Sequence, residues 1–304
     1  LHMRLDSHQH FWRYSAEHYP WMQPTWPIRR DFLPADLQPL LARAGLDGSI
    51  DVQARQSLEE NRFLLALAEQ HPLIKGVVGW VDLRSDRVEE QLAEFARHPR
   101  FVGVRHVVQD EPDDDFMLGS EFLRGISRLK QFDLTYDLLV FLRQLPAAIK
   151  VVERFPDQPF VLDHIAKPPI KGGALAPWRE LIRELARFPN VHCKISGMVT
   201  EADFKHWSPS QLETYANYVI EVFGPKRLML GSDWPVCLVA CDYAKWIGLV
   251  NLVAGRSVIP ELIQDEATPE RLSREVLRLL DDRRAYEEMK QDLRKVREAL
   301  GERG

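Results

Sequence analysis

The chain has 304 residues, of which 45% are hydrophobic and 28% charged, and its formal net charge is −5. This length permits one large domain or two smaller ones, and the negative charge offers no long-range attraction for nucleic acid. No apolar run approaches the roughly 20 residues of a membrane-spanning helix, and the start lacks a basic-then-apolar export pattern. We therefore expect a cytoplasmic protein without nucleic-acid or membrane partners. Three scattered cysteines predict reduced thiols rather than a disulfide framework.

Short β-type runs alternate along the chain with longer amphipathic runs, such as 34–44 and 58–71, whose apolar residues recur every three to four positions. Several β-type runs are apolar on both faces, which is typical of strands covered by helices on one side and by a filled barrel on the other. Eight such units predict an α/β fold, a (β/α)₈ TIM barrel, with a doubly wound open sheet as the alternative. The eight runs are 4–7, 49–53, 75–81, 101–107, 134–140, 159–163, 191–195 and 227–231.

Polar residues lie at the C-terminal ends of most of these runs. In a TIM barrel the C-terminal ends of the strands surround one mouth, where catalytic side chains lie. His8 and His10 are two residues apart on an extended strand, so their side chains point to the same side and can reach one metal ion or substrate atom. The other polar strand-end residues are Gln53, Asp82, Arg105, His106, Asp137, Asp163, His164, Lys167, Lys194, Ser196, Ser232 and Asp233.

Five segments resemble the sugar lactonases of the amidohydrolase superfamily, the L-fuconolactonase-like and L-rhamnonolactonase-like enzymes related to 2-pyrone-4,6-dicarboxylate lactonase. The segments are LDSHQHFW, GVRHVVQDEP, LDHIAKP, KISGM and FGPKRLMLGSDWPVC, and the resemblance runs from about residue 3 to residue 243. It implies the barrel fold, hydrolysis of a small sugar lactone, and a general-base role for Asp233.

The sequence departs from the binuclear members of this superfamily, which carry a bridging lysine or acid and an additional histidine on the middle strands. Here the fifth run ends in Asp137-Leu138-Leu139, and no histidine lies between His106 and His164. We therefore expect at most one divalent ion, with zinc as the first candidate, or a metal-free site in which the histidines bind the substrate. The expected ligands are His8, His10, His164 and Asp233.

We expect Asp233 and His164 to be catalytic, with Asp233 accepting a proton from the attacking water. The residues expected to bind substrate are His8, His10, Arg105, His106, Lys167 and Trp12. Structural ion pairs are the alternative role for Arg105 and Lys167. Core packing is the alternative for Trp12 and its neighbours Trp21, Trp26 and Trp234, whose faces are also suited to sugar rings.

The last part of the chain departs from the lactonase pattern. From about Trp246 it resembles the C-terminal part of lipid-A-disaccharide synthase, with Asn251, Glu261 and Gln264 matching positions near the donor nucleotide. The facing domain that a glycosyltransferase needs is missing. We therefore predict a barrel over residues 3–245 and an atypical helical segment over 246–304 without activity of its own. This segment would fill the eighth-helix position of the barrel or associate with the same segment of a second chain.

Two other functions remain open from the sequence. A metal-dependent decarboxylase or other lyase can be built on the same barrel, since relatives share the two histidines and the strand-eight aspartate. A catalytically impaired fusion protein is the second alternative, because the foreign segment replaces a barrel helix.

Overall fold

The computed structural model describes residues 3–253. Eight parallel strands form one sheet whose spatial order follows the chain, with each strand paired to the next. This confirms the predicted number and positions of the strands. They are β1 (Leu5–Gln9), β2 (Gly48–Val52), β3 (Ile74–Gly79), β4 (Phe101–His106), β5 (Thr135–Leu138), β6 (Phe160–Leu162), β7 (Val191–Ile195) and β8 (Leu228–Leu230).

A helix follows each strand. Helix starts carry recognisable signals, such as Pro34 in the first turn of the first helix and Ser57, whose side chain accepts a hydrogen bond from the Glu59 amide at the start of the second. Among the described residues the helices are α1 (Pro34–Arg43), α2 (Leu58–Gln70), α3 (Val88–Phe95), α4 (Ser120–Leu129), α5 (Leu145–Arg154), α6 (Trp178–Leu185), α7 (Pro209–Phe223) and α8 (Tyr243–Val253).

The first and last strands meet, so the sheet curves into a nearly closed barrel. The Ser7 hydroxyl donates to the Leu230 carbonyl at 2.8 Å. Just beyond the strand ends, the Asp233 amide donates to the His8 carbonyl at 2.8 Å, and the His10 amide donates to the Trp234 carbonyl at 2.7 Å. The fold is therefore a (β/α)₈ TIM barrel and not the open doubly wound sheet.

Apolar side chains fill the layer between strands and helices, where Val77, Val104 and Phe160 are fully buried. The barrel interior is different, because charged side chains from several strands are buried there: Arg105, Asp137 and Lys194 are each at most 3% exposed. Buried charges are costly unless paired, so this interior must contain compensating contacts.

The predicted boundary between residues 245 and 246 falls within α8. This helix packs against α7, the position expected of the eighth barrel helix. The Tyr243 hydroxyl donates to Oδ2 of Asp6 at 3.1 Å, and the Trp246 indole donates to the Gly231 carbonyl at 2.8 Å. The first residues of the predicted tail thus belong to the barrel, whereas residues 254–304, including Glu261 and Gln264, lie outside the described residues. Between residues 3 and 253, no helix has both the length and the apolar character needed to cross a bilayer.

Candidate active site

Three imidazoles converge on one carboxylate at the barrel mouth. The Nε2 atoms of His10, His8 and His164 lie 3.2, 3.8 and 4.0 Å from Oδ1 of Asp233. The first two histidines come from β1 and its end, His164 from the turn after β6, and Asp233 from the turn after β8. The structure therefore brings together all four residues that the sequence predicted as a cluster.

The hydrogen bonds of His10 determine which of its ring nitrogens carries the hydrogen and which has the lone pair. Nδ1 lies 2.7 Å from the Val52 carbonyl oxygen, which can only accept, so Nδ1 carries the hydrogen. In the neutral ring Nε2 then points a lone pair at the Asp233 carboxylate, 3.2 Å away. Two acceptors at this distance require a proton or a metal cation between them.

His164 lies in a left-handed turn. Four consecutive non-glycine residues, from His164 to Lys167, have φ between 46° and 58°. This conformation costs roughly 1–2 kcal/mol per residue and is enriched at functional sites. The Trp178 indole donates to the Ile165 carbonyl at 2.8 Å, and Nδ1 of His164 lies 2.9 Å from the Ser196 hydroxyl oxygen. The turn places both His164 and Lys167 on the wall of one pocket.

Gly197, at the end of β7, allows this close packing. Its φ is +60°, and a Cβ atom added there would lie 2.5 Å from Nδ1 of His164 and 3.1 Å from Oδ2 of Asp233. Only glycine fits this conformation and this contact without displacing the site.

The charge states of the cluster follow from burial and from its neighbours. Burial lowers the pKa of His164 to about 4 and holds the pKa of His8 well below its usual value. Burial alone would raise the pKa of Asp233, but the adjacent His164 and His10 outweigh it and lower that pKa. Asp233 is therefore an ionised acceptor at neutral pH.

A second group of buried charges lies beside His8, inside the barrel. Lys194 Nζ is 2.5 Å from Oδ2 of Asp137 and 3.0 Å from Oδ1 of Asp163, and Arg105 Nη1 is 2.9 Å from Oδ2 of Asp163. Burial favours the neutral amine, but the two carboxylates outweigh it and raise the pKa of Lys194. Two cations thus balance two anions, which accounts for the charged interior. The sequence indicates that these residues lie at strand ends, but it does not indicate that they pair across the barrel.

The donor set at Asp233 fits one divalent ion. Ligand atoms of His8, His10 and Asp233 all lie within 4.8 Å of one another. Tetrahedral zinc with nitrogen and oxygen ligands at about 2.0–2.1 Å separates its ligand atoms by about 3.4 Å, close to the spacing around Oδ1. His8 can present Nε2 as a ligand when Nδ1 donates to Oδ1 of Asp163, 3.4 Å away. Arg105 Nη1 lies 3.3 Å from the same Nε2 and places a second cation beside this position.

A pocket of about 620 Å³ opens above the cluster. His10, His164 and Asp233 line this pocket, and its remaining lining forms an aromatic wall and a polar wall. Trp21, Trp26 and Phe204 form an aromatic wall, in which successive ring centroids are 6.3 and 6.2 Å apart. The polar wall includes Arg55, Arg105, Lys167 and Glu201, and Lys167 Nζ lies 3.6 Å from the Glu201 carboxylate.

Three residues predicted to contact substrate, His8, Trp12 and His106, are not among those that line this pocket. Trp12 is fully buried, and its indole donates to the Arg30 carbonyl, so its ring packs in the core behind His10. His106 bonds through Nε2 to Glu111 at 2.7 Å and stacks on Phe116. In the described part of the chain neither lines the pocket. Substrate contact by Trp12 and His106 stays a prediction, and the pocket lining does not support it.

Other lining residues were not singled out from the sequence. Arg55 lies three residues beyond β2, and Glu201 and Phe204 follow the turn after β7. The rule that functional groups follow barrel strands could have included Arg55. The two later residues lie in an irregular segment without a sequence signal.

Comparisons with known proteins agree with this geometry. A family described as Amidohydrolase matches residues 5–277. L-fucono-1,5-lactonase of Burkholderia multivorans is 44% identical over 260 residues, which cover 82% of this chain and 88% of that protein. The crystal structure of an amidohydrolase from the same species with bound zinc has a TM-score of 0.81 at 44% identity, covering 84% of this chain and 92% of that one. Lipid-A-disaccharide synthase of Geobacter metallireducens matches only in part, with 53% identity over 58 residues, 19% of this chain and 15% of that protein. The resemblance found in the sequence is confirmed, and the chain belongs to the amidohydrolase family.

Proposed function

We propose that this protein hydrolyses a sugar-derived lactone, an aldonolactone such as L-fuconolactone, with Asp233 as the general base. The observation that carries the proposal is the ionised Asp233 carboxylate, held by three imidazoles at the floor of a pocket large enough for a sugar ring. The 44% identity to L-fucono-1,5-lactonase over most of both chains supports the same reaction class.

In the proposed reaction a water molecule attacks the lactone carbonyl carbon while Asp233 takes one of its protons. Oδ1 faces the imidazoles, which leaves Oδ2, on the side of Gly197, as the accepting oxygen. The carbonyl becomes a tetrahedral oxyanion. When it collapses, the bond to the ring oxygen breaks, and protonated Asp233 returns the proton to that oxygen. The product is the open hydroxy acid, and the base is regenerated.

In the metal-free form His8 and His164 would donate N–H groups to the developing oxyanion, and His10 would do so through Nε2 only when protonated, because its Nδ1 already donates to the Val52 carbonyl. Each well-placed donor contributes roughly 3 kcal/mol to such a transition state. His8, His10, His164 and Asp233 would hold a divalent ion, which when bound would supply Lewis acidity toward the lactone carbonyl. Zinc is our first candidate, consistent with the donor set of nitrogen and carboxylate oxygen atoms.

The pocket walls suggest how the ring is held. We assign the aromatic wall of Trp21 and Trp26 to one face of the sugar, because aromatic side chains offer broad apolar surfaces with low entropy cost. Lys167 and Arg105 are assigned to the hydroxyl groups or the carboxylate of the product, and both are within the pocket lining.

The test is a pH-indicator hydrolysis assay over a panel of aldonolactones, run with and without a chelator. Hydrolysis of at least one lactone, at a rate far above the spontaneous one, supports the proposal. A silent panel together with carbon dioxide release from an aromatic or sugar acid would favour the lyase instead. Full activity after exhaustive chelation would select the metal-free form of the mechanism.

The cytoplasmic location and any association between chains stay predictions. So does the assignment of residues 246–304 as a segment without activity of its own, with only its first residues in α8.

A further inference from the structure

Glu60 carries a buried carboxyl that the proposed reaction does not use. It lies in the first turn of α2 and is 3% exposed. Its Oε2 accepts from the Arg55 amide at 2.8 Å, and its Oε1 accepts from the Tyr19 hydroxyl at 3.3 Å. Both donor groups are neutral, and burial raises the pKa of Glu60 to about 7. Burying a carboxyl among neutral donors is costly, so stability alone does not explain its position.

The two donors belong to segments that line the pocket. The lining includes both neighbours of Tyr19 and the aromatic Trp21 that follows, and it also includes residues 54–56. Within the described chain, neither Tyr19 nor Glu60 is part of the lining itself. Glu60 therefore reaches the pocket only through these two segments.

The segment from residue 15 to residue 28, which carries Trp21 and Trp26, has few other attachments to the barrel. Its backbone hydrogen bonds close short turns within the segment. Among the described residues, the bond from Tyr19 to Glu60 is the only hydrogen bond that joins this segment to another part of the chain. Its aromatic rings pack against neighbouring rings as well, but such contacts are less directional than a hydrogen bond.

We propose that Glu60 is a positioning residue for substrate binding: its carboxyl joins the segment that carries Trp21 to the turn that carries Arg55, and so fixes the spacing between the aromatic wall and the polar wall. The inference rests on the proposed function for its substrate, whereas the link between the two segments can be tested without one. Glu60 acts without contacting the substrate. Loss of the link should therefore weaken binding and leave the attack of water at Asp233 unchanged.

The kinetic experiment compares variants that remove one or both bonds, and its probe is the aldonolactone that the parent hydrolyses fastest. Glu60→Leu removes both bonds, whereas Tyr19→Phe removes only the link to residues 15–28 and keeps the ring. Glu60→Gln keeps both contacts, because its amide oxygen accepts from the Arg55 amide and its amide nitrogen donates to the Tyr19 oxygen. Tyr218→Phe is the matched control, since the Tyr218 hydroxyl donates to the Arg179 carbonyl at 2.9 Å, away from the pocket lining.

We expect Tyr19→Phe to raise KM about fivefold, the effect of one lost hydrogen bond, and Glu60→Leu to raise it further, with kcat unchanged in both. Glu60→Gln and Tyr218→Phe should keep the parental KM. In a chain that already carries Trp21→Ala, Tyr19→Phe should raise KM less than it does alone, because it acts through the segment that holds Trp21. Equal KM changes in Tyr19→Phe and Tyr218→Phe, or a loss of kcat at constant KM, would overturn the proposal.

Amide hydrogen exchange followed by mass spectrometry tests the link without any substrate. Peptides from residues 15–28 should exchange faster in Tyr19→Phe and Glu60→Leu than in the parent, and at the parental rate in Glu60→Gln and Tyr218→Phe. Tyr19→Phe decides the outcome if Glu60→Leu does not fold. If no lactone is hydrolysed but exchange changes as expected, the proposed function fails and the link stands. Parental exchange in Tyr19→Phe would refute the link itself.

Discussion

The Nε2 atom of His10 lies 3.2 Å from Oδ1 of Asp233, while Nδ1 of the same ring is fixed by the Val52 carbonyl of β2 at 2.7 Å. The backbone of one strand thus orients an imidazole that in turn orients a carboxylate from the opposite end of the chain. Because the ring cannot turn without losing the bond to Val52, the carboxylate meets a fixed partner.

Replacing Asp233 by asparagine should abolish lactone hydrolysis but leave the fold intact. The amide is nearly isosteric and can donate to the Nε2 lone pair of His10, so only the proton acceptor is lost. We expect a fall in kcat of at least about 100-fold, the lower end of the range for general-base catalysis. Initial rates and thermal midpoints measure the two effects. A purified variant with a rate within tenfold of the parent would exclude Asp233 as the base.

Gly197→Ala should lower kcat strongly, whereas its free energy of unfolding should fall only modestly. The added methyl group must displace His164 or Asp233, because it would lie 2.5 and 3.1 Å from their atoms. Gly173→Ala is the matched control, since Gly173 has φ +69° and no described heavy atom within 4 Å of the added carbon. Both variants should lose about 1 kcal/mol in urea unfolding from backbone strain. Only Gly197→Ala should also lose kcat, and equal kinetics for the two variants would contradict the packing role of Gly197.

Trp21→Ala should weaken substrate binding without changing the chemical step. Trp21 is 37% exposed at the pocket and forms part of the aromatic wall. Removing an aromatic platform that contacts substrate and transition state equally raises KM and leaves kcat unchanged. We expect KM to rise about tenfold, corresponding to about 1.4 kcal/mol, and Trp21→Phe to restore most of the binding. A fall in kcat with constant KM would argue that Trp21 orders the catalytic groups instead.

Glu60 should make the protein less stable as pH rises. Burial raises its pKa to about 7, and its carboxyl accepts hydrogen bonds from the Arg55 amide at 2.8 Å and the Tyr19 hydroxyl at 3.3 Å. Between its unfolded pKa near 4.5 and the folded value, the folded chain binds a proton that the unfolded chain has released. The free energy of unfolding should therefore fall with rising pH in that window, by up to about 1.4 kcal/mol per unit.

Urea unfolding at pH 5, 6 and 7 tests this slope. Glu60→Gln cannot titrate and should flatten the dependence, because its amide oxygen can still accept from the Arg55 amide while its amide nitrogen donates to the Tyr19 hydroxyl oxygen. A parent and a variant with the same slope would show that Glu60 is not the group responsible.

The segment from residue 246 onward should show no nucleotide-sugar chemistry. Asn251, Glu261 and Gln264 are predicted to match donor-site positions of lipid-A-disaccharide synthase, but an isolated fragment of a site must still overcome an association cost of at least about 4 kcal/mol. Calorimetric titration with UDP and a UDP-sugar should give no saturable binding. A dissociation constant in the low micromolar range would contradict the prediction.

The strands and the candidate cluster around Asp233 were predictable for the same reason. Strands buried on both faces stand out as apolar runs, and barrel topology then places their ends at one mouth, which predicts that His164 and Asp233 lie close together. The aromatic wall was predictable only in part, because the sequence offers Trp12 as well as Trp21 and Trp26 as rings for a sugar. The segment after β1 has no periodicity, and the bridge between Trp12 and Phe32 folds it so that Trp12 points into the core. Likewise, the sequence does not reveal that His106 meets Glu111, because that contact depends on the path of the turn after β4.

The contacts that join β1 to β8 also determine how much of the chain must be synthesised before the protein can become active. His10 and Asp233 are 223 positions apart, and Asp6, on β1, is held by Tyr243 on α8. His8 and His10 leave the ribosome early, whereas Asp233 and the helix α8 are made more than 220 residues later. Contacts this distant in sequence form late in folding, since the long loop between them must close first. A nascent chain therefore carries no assembled catalytic cluster until nearly the whole barrel has emerged.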